Sequence, residues 1–145
     1  MSVRNPWLIA GGCLSALAAL LHLAVIAGGP DWYRFFGAGE AMAQGAARGD
    51  WMPPVLTLAI SAVLAIWAAY AFAGVGLIRR LPLMRPALIA ITAIYLLRGF
   101  AIVPVAMQDS PRTFDIWSSL IVLVYGLVYA IGTATAWPSL KGKTA

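Results

Sequence analysis

The stretch PALIAITAIYLLRGFAIVPVAM, residues 86–107, decides the fold of this chain. It is apolar almost throughout, and a helix of about 20 such residues crosses roughly 30 Å of hydrocarbon. Three further apolar stretches of similar length cover residues 7–28, 54–78 and 116–137. The sequence therefore predicts an all-α membrane protein, with four transmembrane helices in an antiparallel bundle and one domain over residues 1–145.

The composition supports a membrane protein and excludes the water-soluble classes. Of the 145 residues, 62% are hydrophobic and 10% are charged, and the mean hydropathy is +0.87. A soluble domain has roughly 45–50% apolar and about 25% charged residues. The alternating pattern of a membrane β-barrel is missing. The first apolar stretch is longer than a typical signal-peptide core, which favours a retained helix over a cleaved signal peptide.

The charged residues are distributed unevenly between the two sets of span ends. One set carries six basic residues and no acidic residue: Arg4, Arg79, Arg80, Arg85, Lys141 and Lys143. The other set carries both signs: Arg34, Arg48, Arg112, Asp31, Glu40, Asp50, Asp109 and Asp115. The positive-inside rule then predicts a multi-pass protein of the plasma (inner) membrane with both termini in the cytoplasm. The basic balance reflects this topology, so we expect no nucleic-acid partner and expect single Arg→Gln changes in the 79–85 loop to be tolerated.

The longest polar connection, residues 31–51, is predicted to lie outside the membrane on the outer side. Asp31 follows a proline and can cap a helix, and Trp32, Tyr33 and Glu40 continue an aromatic and polar pattern. We interpret this connection as a short, broken interfacial helix that rests on the outer leaflet. A lid over a binding site is the alternative, because long loops in compact domains often carry function.

Arg98 is the leading candidate for a functional residue. A charge inside a membrane-spanning helix is costly and is by default a functional-site hypothesis, and no span contains an acidic residue to pair with it. At about 1.5 Å per residue, Arg98 and Tyr125 lie roughly 13 Å below the outer helix ends, Ser61 about 11 Å and His22 about 9 Å. Together with Tyr95, these residues predict a polar ligand-binding pocket in the outer half of the membrane.

Two local features of the third span refine this prediction. Side chains lean toward the N-terminus of their helix, so Arg98 is expected to point toward the cytoplasmic side. Pro104 cannot donate a backbone hydrogen bond, so a kink is expected just beyond Arg98. A structural role remains open for each pocket residue, since His22 and the tyrosines can pack and hydrogen-bond within the protein.

The sequence assigns no catalytic residue, metal ligand or cofactor. The chain has one histidine, one cysteine and no nucleophile with a base at a useful spacing, which favours a non-enzymatic role. We expect a small inner-membrane protein that binds an amphipathic molecule, such as a lipid, fatty acid or quinone head group, around Arg98. The alternative is a non-catalytic accessory subunit of a larger membrane complex, or a homo-oligomer.

Overall fold

The computed structural model describes residues 5–109 and 112–140, and it is helical with no strand in these ranges. The helices are α1 (Pro6–Gly28), α2 (Pro30–Phe35), α3 (Glu40–Ala47), α4 (Met52–Gly74), α5 (Met84–Phe100), α6 (Ile102–Ala106) and α7 (Thr113–Ala136). Four segments are long and apolar enough to cross a membrane: α1, α4, α5 together with α6, and α7. The predicted all-α, four-helix membrane fold is confirmed.

The second span ends at Gly74, four residues before the predicted boundary at residue 78. The cause is a left-handed residue, Gly76, with φ of 71°. The amide of Gly76 donates to the carbonyl of Ala73 (3.1 Å), and the amide of Leu77 donates to that of Phe72 (2.9 Å). This pair of bonds satisfies carbonyls left free at the helix end and stops the helix. Apolar residues beyond Gly74 therefore extend the hydrophobic pattern without extending the helix.

The third span is interrupted where the sequence predicted a kink. Helix α5 ends at Phe100, and α6 begins at Ile102 and contains Pro104. Because proline has no backbone N–H, the carbonyl of Phe100 lacks its usual helical donor. The interruption lies three residues beyond Arg98, which is therefore near the C-terminal end of α5.

The chain divides into two compact units, Met1–Ser15 with Trp67–Ala145, and Ala16–Ile66. In the first unit, α5 and α7 pack in antiparallel contact through glycines. A Cβ atom on Gly99 would lie 2.5 Å from the Cα of Leu123, and one on Gly126 would lie 2.9 Å from the amide nitrogen of Leu96. Small residues allow membrane helices to approach this closely. This contact fixes the register between the two helices.

Asn5 attaches the start of α1 to the end of α7 in the same unit. Its Oδ1 accepts from the amides of Trp7 (3.0 Å) and Leu8 (3.3 Å), which caps α1, and its Nδ2 donates to the carbonyl of Gly132 (2.8 Å). Leu8 also packs against Gly74 at the end of α4. The start of α1 and the ends of α4 and α7 therefore lie together at one end of the first unit.

The second unit contains the predicted interfacial segment, which forms the two short helices α2 and α3. A turn at Gly37, with φ of 72°, separates them. This confirms the broken helix expected from the sequence. A small apolar cluster forms the centre of the unit and consists of Val25, Tyr33 and Ala43, with Phe36, Met42 and Ala46 packed against them.

Candidate functional site

Arg98 makes one hydrogen bond to the described part of the protein. Its Nη1 donates to the Oγ of Ser119 on α7 over 3.1 Å. The residue is exposed on the protein surface, and no other hydrogen bond or ion pair joins it to residues 5–109 or 112–140. A guanidinium carries five N–H donors. Four of them are consequently without a partner among the described residues.

The Arg98 side chain extends toward the C-terminal end of α5, so the prediction that it leans toward the N-terminus is wrong. Gly99 lies opposite Leu123 on the antiparallel α7, and Ser119 is four residues nearer the start of α7. That start faces the C-terminal end of the third span. The arginine stem is long and flexible enough to carry its charge toward the nearer helix end, which is the usual behaviour of membrane arginines.

Exposed tryptophans near both ends of α7 indicate the depth that this contact would have in a membrane. Trp117 and Trp137 are 20 residues apart, which is about 30 Å of helix and matches the hydrocarbon thickness. Tryptophan is enriched at the two membrane–water interfaces. Ser119 is two residues, or about 3 Å, inward from Trp117. With the membrane edge at Trp117, the guanidinium of Arg98 would lie near the edge of the hydrocarbon layer, outside the depth of about 13 Å expected from the backbone position alone.

Tyr95 belongs to a different group of polar side chains in the first unit. The Oγ of Ser15 lies 2.8 Å from the hydroxyls of both Tyr95 and Tyr129, and the Tyr129 hydroxyl also donates to the carbonyl of Trp67 (3.2 Å). We refer to Ser15, Tyr95 and Tyr129 as the hydroxyl cluster. The ring of Tyr125 contacts that of Tyr95, with centroids 5.5 Å apart. Of the predicted pocket residues, Tyr95 and Tyr125 therefore lie together.

The hydroxyl cluster and the Arg98 contact lie at different levels along α7. Tyr129 and Ser119 are ten residues apart on α7, which is about 15 Å along the helix axis. Tyr95 reaches Tyr129 at one level, whereas Arg98 reaches Ser119 at the other. The Arg98 guanidinium and the Tyr95 hydroxyl accordingly belong to two separate hydrogen-bonded groups and do not line one pocket.

His22 and Ser61 lie in the second unit and have hydrogen-bond partners there. The Nδ1–H of His22 donates to the carbonyl of Ala18 in its own helix (2.7 Å), and Ser61 donates to the carbonyl of Ala19 (2.9 Å). The Ser61 bond joins α4 to α1 within this unit. Both contacts are ones that packed polar residues in membrane helices commonly make.

The predicted interfacial residues form an ionic link between α2 and α3. The Nε and Nη2 of Arg34 donate to the two carboxylate oxygens of Glu40, each over 3.0 Å, and Nη1 donates to Asp31 over 3.1 Å. The hydrogen bonds from Arg34 lower the pKa of the Glu40 carboxyl below its ordinary value. A bidentate arginine–carboxylate pair fixes the relative orientation of the groups that it joins.

The aromatic residues of α2 divide between the core and the surface. Tyr33 is buried, with its hydroxyl 3.2 Å from that of Thr57. Phe35 and Trp32 are exposed, with 71% and 42% of their surface accessible. Exposed aromatic residues next to a charged face are typical of a segment that anchors at a membrane interface.

Ser119 is the partner of Arg98 that the sequence interpretation missed. The neighbouring Ser118 donates instead to the Asp115 carbonyl in its own helix. The sequence pattern that could have identified Ser119 is the helical spacing of small and polar residues along the inner face of α7. The residues on this face are buried in the structure: Ser119, Gly126, Tyr129, Thr133 and Ala136.

The arrangement of Arg98 and Ser119 can bind an anion. The exposed guanidinium offers a planar fork that matches carboxylate or phosphate, and the buried Ser119 hydroxyl holds that fork in place by accepting one of its hydrogen bonds. Among the described residues, no group of three or more His, Cys, Asp or Glu side chains could hold a metal ion. No protein-family profile matches this chain, and no curated protein and no solved structure is significantly similar to it.

Proposed function

We propose that this small multi-pass membrane protein binds the phosphate or carboxylate head of an amphipathic molecule at Arg98, whose guanidinium is held in position by the buried Ser119. The observation that carries the proposal is the exposed Arg98 guanidinium, which makes one hydrogen bond to the described residues. A position near the edge of the hydrocarbon layer would bring its remaining donors to the level of lipid head groups. The geometry of a guanidinium favours bidentate binding of an anionic head over contact with a neutral one.

The surface around Arg98 supports a ligand with an apolar chain. Leu97 and Phe100 on α5 are 73% and 56% exposed, and Val124 on α7 is also exposed. An anionic head held by Arg98 would extend its hydrocarbon chain along these side chains. A soluble anion would leave the same apolar surface uncovered, so phospholipids and fatty acids are the favoured ligand classes.

The charge distribution supports an orientation for this site. In the first unit, Arg80 and Arg85 lie at the end that contains Asn5 and the end of α7, where they donate to carbonyls that follow α7. Arg98 reaches toward the opposite end. The positive-inside rule places the arginine-rich end in the cytoplasm. The site at Arg98 is then in the outer leaflet of the inner membrane, with both termini cytoplasmic.

The second candidate function is that of an accessory subunit, and the same exposed arginine favours it. The described spans contain one acidic residue, Asp115 in the first turn of α7, and it lies 4.0 Å from Arg112. A carboxylate from a neighbouring membrane protein could therefore pair with Arg98. Intramembrane charges commonly face such partners. In this case the exposed surface of α5 and α7 would contact protein, and the anion at Arg98 would be a side chain.

Native mass spectrometry after gentle detergent extraction tests both functions. The variants are Arg98→Gln, Arg98→Lys and the control Arg112→Gln, which removes one positive charge near the start of α7. Arg112 lies 4.0 Å from Asp115 in an exposed ion pair. We expect wild type and Arg112→Gln to retain one more anionic lipid per protein than Arg98→Gln, and Arg98→Lys to retain an intermediate amount because lysine lacks the planar fork.

Two results would contradict ligand binding at this site. Equal lipid retention by wild type and Arg98→Gln would show that Arg98 does not hold the head group. A stoichiometric protein that co-purifies with wild type and dissociates in Arg98→Gln would support the accessory-subunit role instead. Circular dichroism of each variant, with an unchanged helical spectrum, establishes that lost binding is not lost folding.

A further inference from the structure

A cavity of about 630 Å³ opens at the other end of the first unit, away from Arg98. It lies between the start of α1, the end of α4 and the end of α7. Its polar lining comes from Asn5, Arg80, Thr135 and Ser139, and its apolar lining includes Ile78. The volume is within the range of roughly 300–1,000 Å³ that is usual for small-molecule sites.

Arg80 gives this cavity its charge. It is the single charged side chain among the lining residues of the described chain, and none of these residues is acidic. One of its terminal nitrogens donates to the carbonyl of Ser139, which leaves its other N–H groups available. The amide of Asn5 donates to Thr135, whose hydroxyl in turn donates to the carbonyl of Ile131. Arg80 is therefore the lining side chain that still has N–H donors free for a ligand. Its positive charge favours an anion as that ligand.

The position of the cavity indicates where that anion comes from. Trp7 and Trp137, both exposed, belong to the same end of the unit, which places the cavity at a membrane–water interface. Leu77 and Ile78 are exposed beside it. Ser119 and Ala136 are 17 residues apart on α7, so this interface is about 25 Å from the Arg98 contact. A phospholipid supplies both a phosphate at this level and chains for the adjoining apolar surface.

We propose that this cavity holds the phosphate-bearing head group of a phospholipid from the leaflet opposite Arg98, with Arg80 as the charged contact. The site shares no residue with the one at Arg98 and Ser119, and it stands or fails independently of that function. Asn5, Thr135 and Ser139 shape the cavity around the phosphate, and Arg80 provides the charge that retains it.

The experiment uses delipidated protein in detergent and native mass spectrometry with added phosphatidylethanolamine, phosphatidylglycerol or diacylglycerol. All variants carry Arg98→Gln, so that a lipid at Arg98 is not counted. Arg80→Gln is compared with Arg79→Gln, a neighbouring arginine that does not line the cavity and has no hydrogen bond or ion pair to the described residues. Arg80→Lys, which keeps the charge, guards against an effect of folding alone.

We expect both phospholipids to bind and diacylglycerol, which has no phosphate, to bind at least tenfold more weakly. Arg80→Gln should weaken phospholipid binding by roughly tenfold or more, as loss of a charge-assisted hydrogen bond does, whereas Arg79→Gln should change it less than about twofold. Arg80→Lys should retain part of the binding. Equal binding by the Arg79 and Arg80 variants, or equal binding of diacylglycerol, would overturn the proposal. Full competition by soluble glycerol phosphate would assign the cavity to a free phosphate ester and not to a lipid.

Discussion

Replacing Gly99 with alanine should separate α5 from α7 and remove the support for the Arg98 contact. The new Cβ would lie 2.5 Å from the Cα and 2.7 Å from the amide nitrogen of Leu123. Ordinary contacts of this kind are 3.4–4 Å. The obstructing atoms belong to the backbone of α7, so no side-chain rotation relieves the overlap. One helix must shift by about an ångström, and the shift changes the register at Ser119.

The expected cost follows from two opposing terms. Overpacking of one methyl group into a close contact costs about 1–3 kcal/mol, and the value here belongs near the upper end because backbone atoms must move. Alanine is the better helix former by about 1 kcal/mol. The net destabilisation of Gly99→Ala should therefore be about 1–2 kcal/mol.

Gly74→Ala is the matched control for this change. It adds the same methyl group in the same unit, but the nearest atom is the Cδ1 of Leu8 at 3.1 Å, the far end of a flexible side chain. Its effect on stability should be within about 0.5 kcal/mol. The assay is thermal unfolding in detergent, followed by circular dichroism. Equal unfolding midpoints for Gly99→Ala and Gly74→Ala would refute the close α5–α7 packing.

Three further changes test other contacts. Ser15→Ala should destabilise the protein by about 1–2 kcal/mol because Tyr95 loses its hydroxyl partner. Adding Tyr95→Phe to Ser15→Ala should cost little further stability. Thermal shifts of the two single variants that add fully in the double variant would contradict the hydroxyl cluster. Arg85→Gln should lower the stability by about 1–2 kcal/mol, since Arg85 donates to the carbonyl of Trp137 and lies over its ring. The control Arg79→Gln should lower it by less than about 0.5 kcal/mol. Equal unfolding midpoints for these two variants would refute the contact between Arg85 and the end of α7. The pKa of Glu40 is lowered in the folded protein, so the stabilisation from its ion pair with Arg34 is complete above the ordinary value of 4.5 and is lost as the pH falls through the lowered value. Tryptophan fluorescence should therefore show an acid transition that Glu40→Gln lacks. An identical transition in Glu40→Gln would contradict a stabilising role of this ion pair.

The membrane fold could be predicted from the sequence because the physical requirement is simple. A lipid-spanning segment needs about 20 apolar residues in a helix that satisfies its own backbone, and four such segments are visible. The break at Pro104 was also predictable, since proline removes a specific hydrogen bond. The end of α4 at Gly74 was not, because the stop depends on the left-handed conformation of Gly76 and not on hydropathy.

The direction of the Arg98 side chain required the structure. Helix geometry alone predicts a lean toward the N-terminus, but the flexible stem carries the charge the other way to reach Ser119. That partner depends on the register of α5 against α7, which is fixed by Gly99 and Gly126 at contacts distant in sequence. For the same reason, the separate association of Tyr95 with Ser15 could not be read from depth estimates along single helices.

Arg80 and Arg85 show a related limit of sequence interpretation. Their clustering predicted a topological signal whose members are individually replaceable. In the structure, Arg85 donates to the carbonyl of Trp137 and Arg80 to that of Ser139, while Arg79 has no such contact within the described residues. Charge counting treats the three as equivalent, whereas the fold gives two of them defined partners at the end of α7.

Photo-cross-linking can show whether an anionic lipid head lies at Arg98, beside the start of α7. A phosphatidylglycerol analogue with a photoreactive group on its head would be added to wild type, Arg98→Gln and Arg112→Gln, and the labelled peptides mapped by mass spectrometry. The labelled peptides distinguish a lipid bound at Arg98 from lipids bound elsewhere on the protein. We expect labelling around Ser119 in wild type and Arg112→Gln, and at least a tenfold loss there in Arg98→Gln. Equal labelling around Ser119 in all three proteins would contradict lipid binding at Arg98.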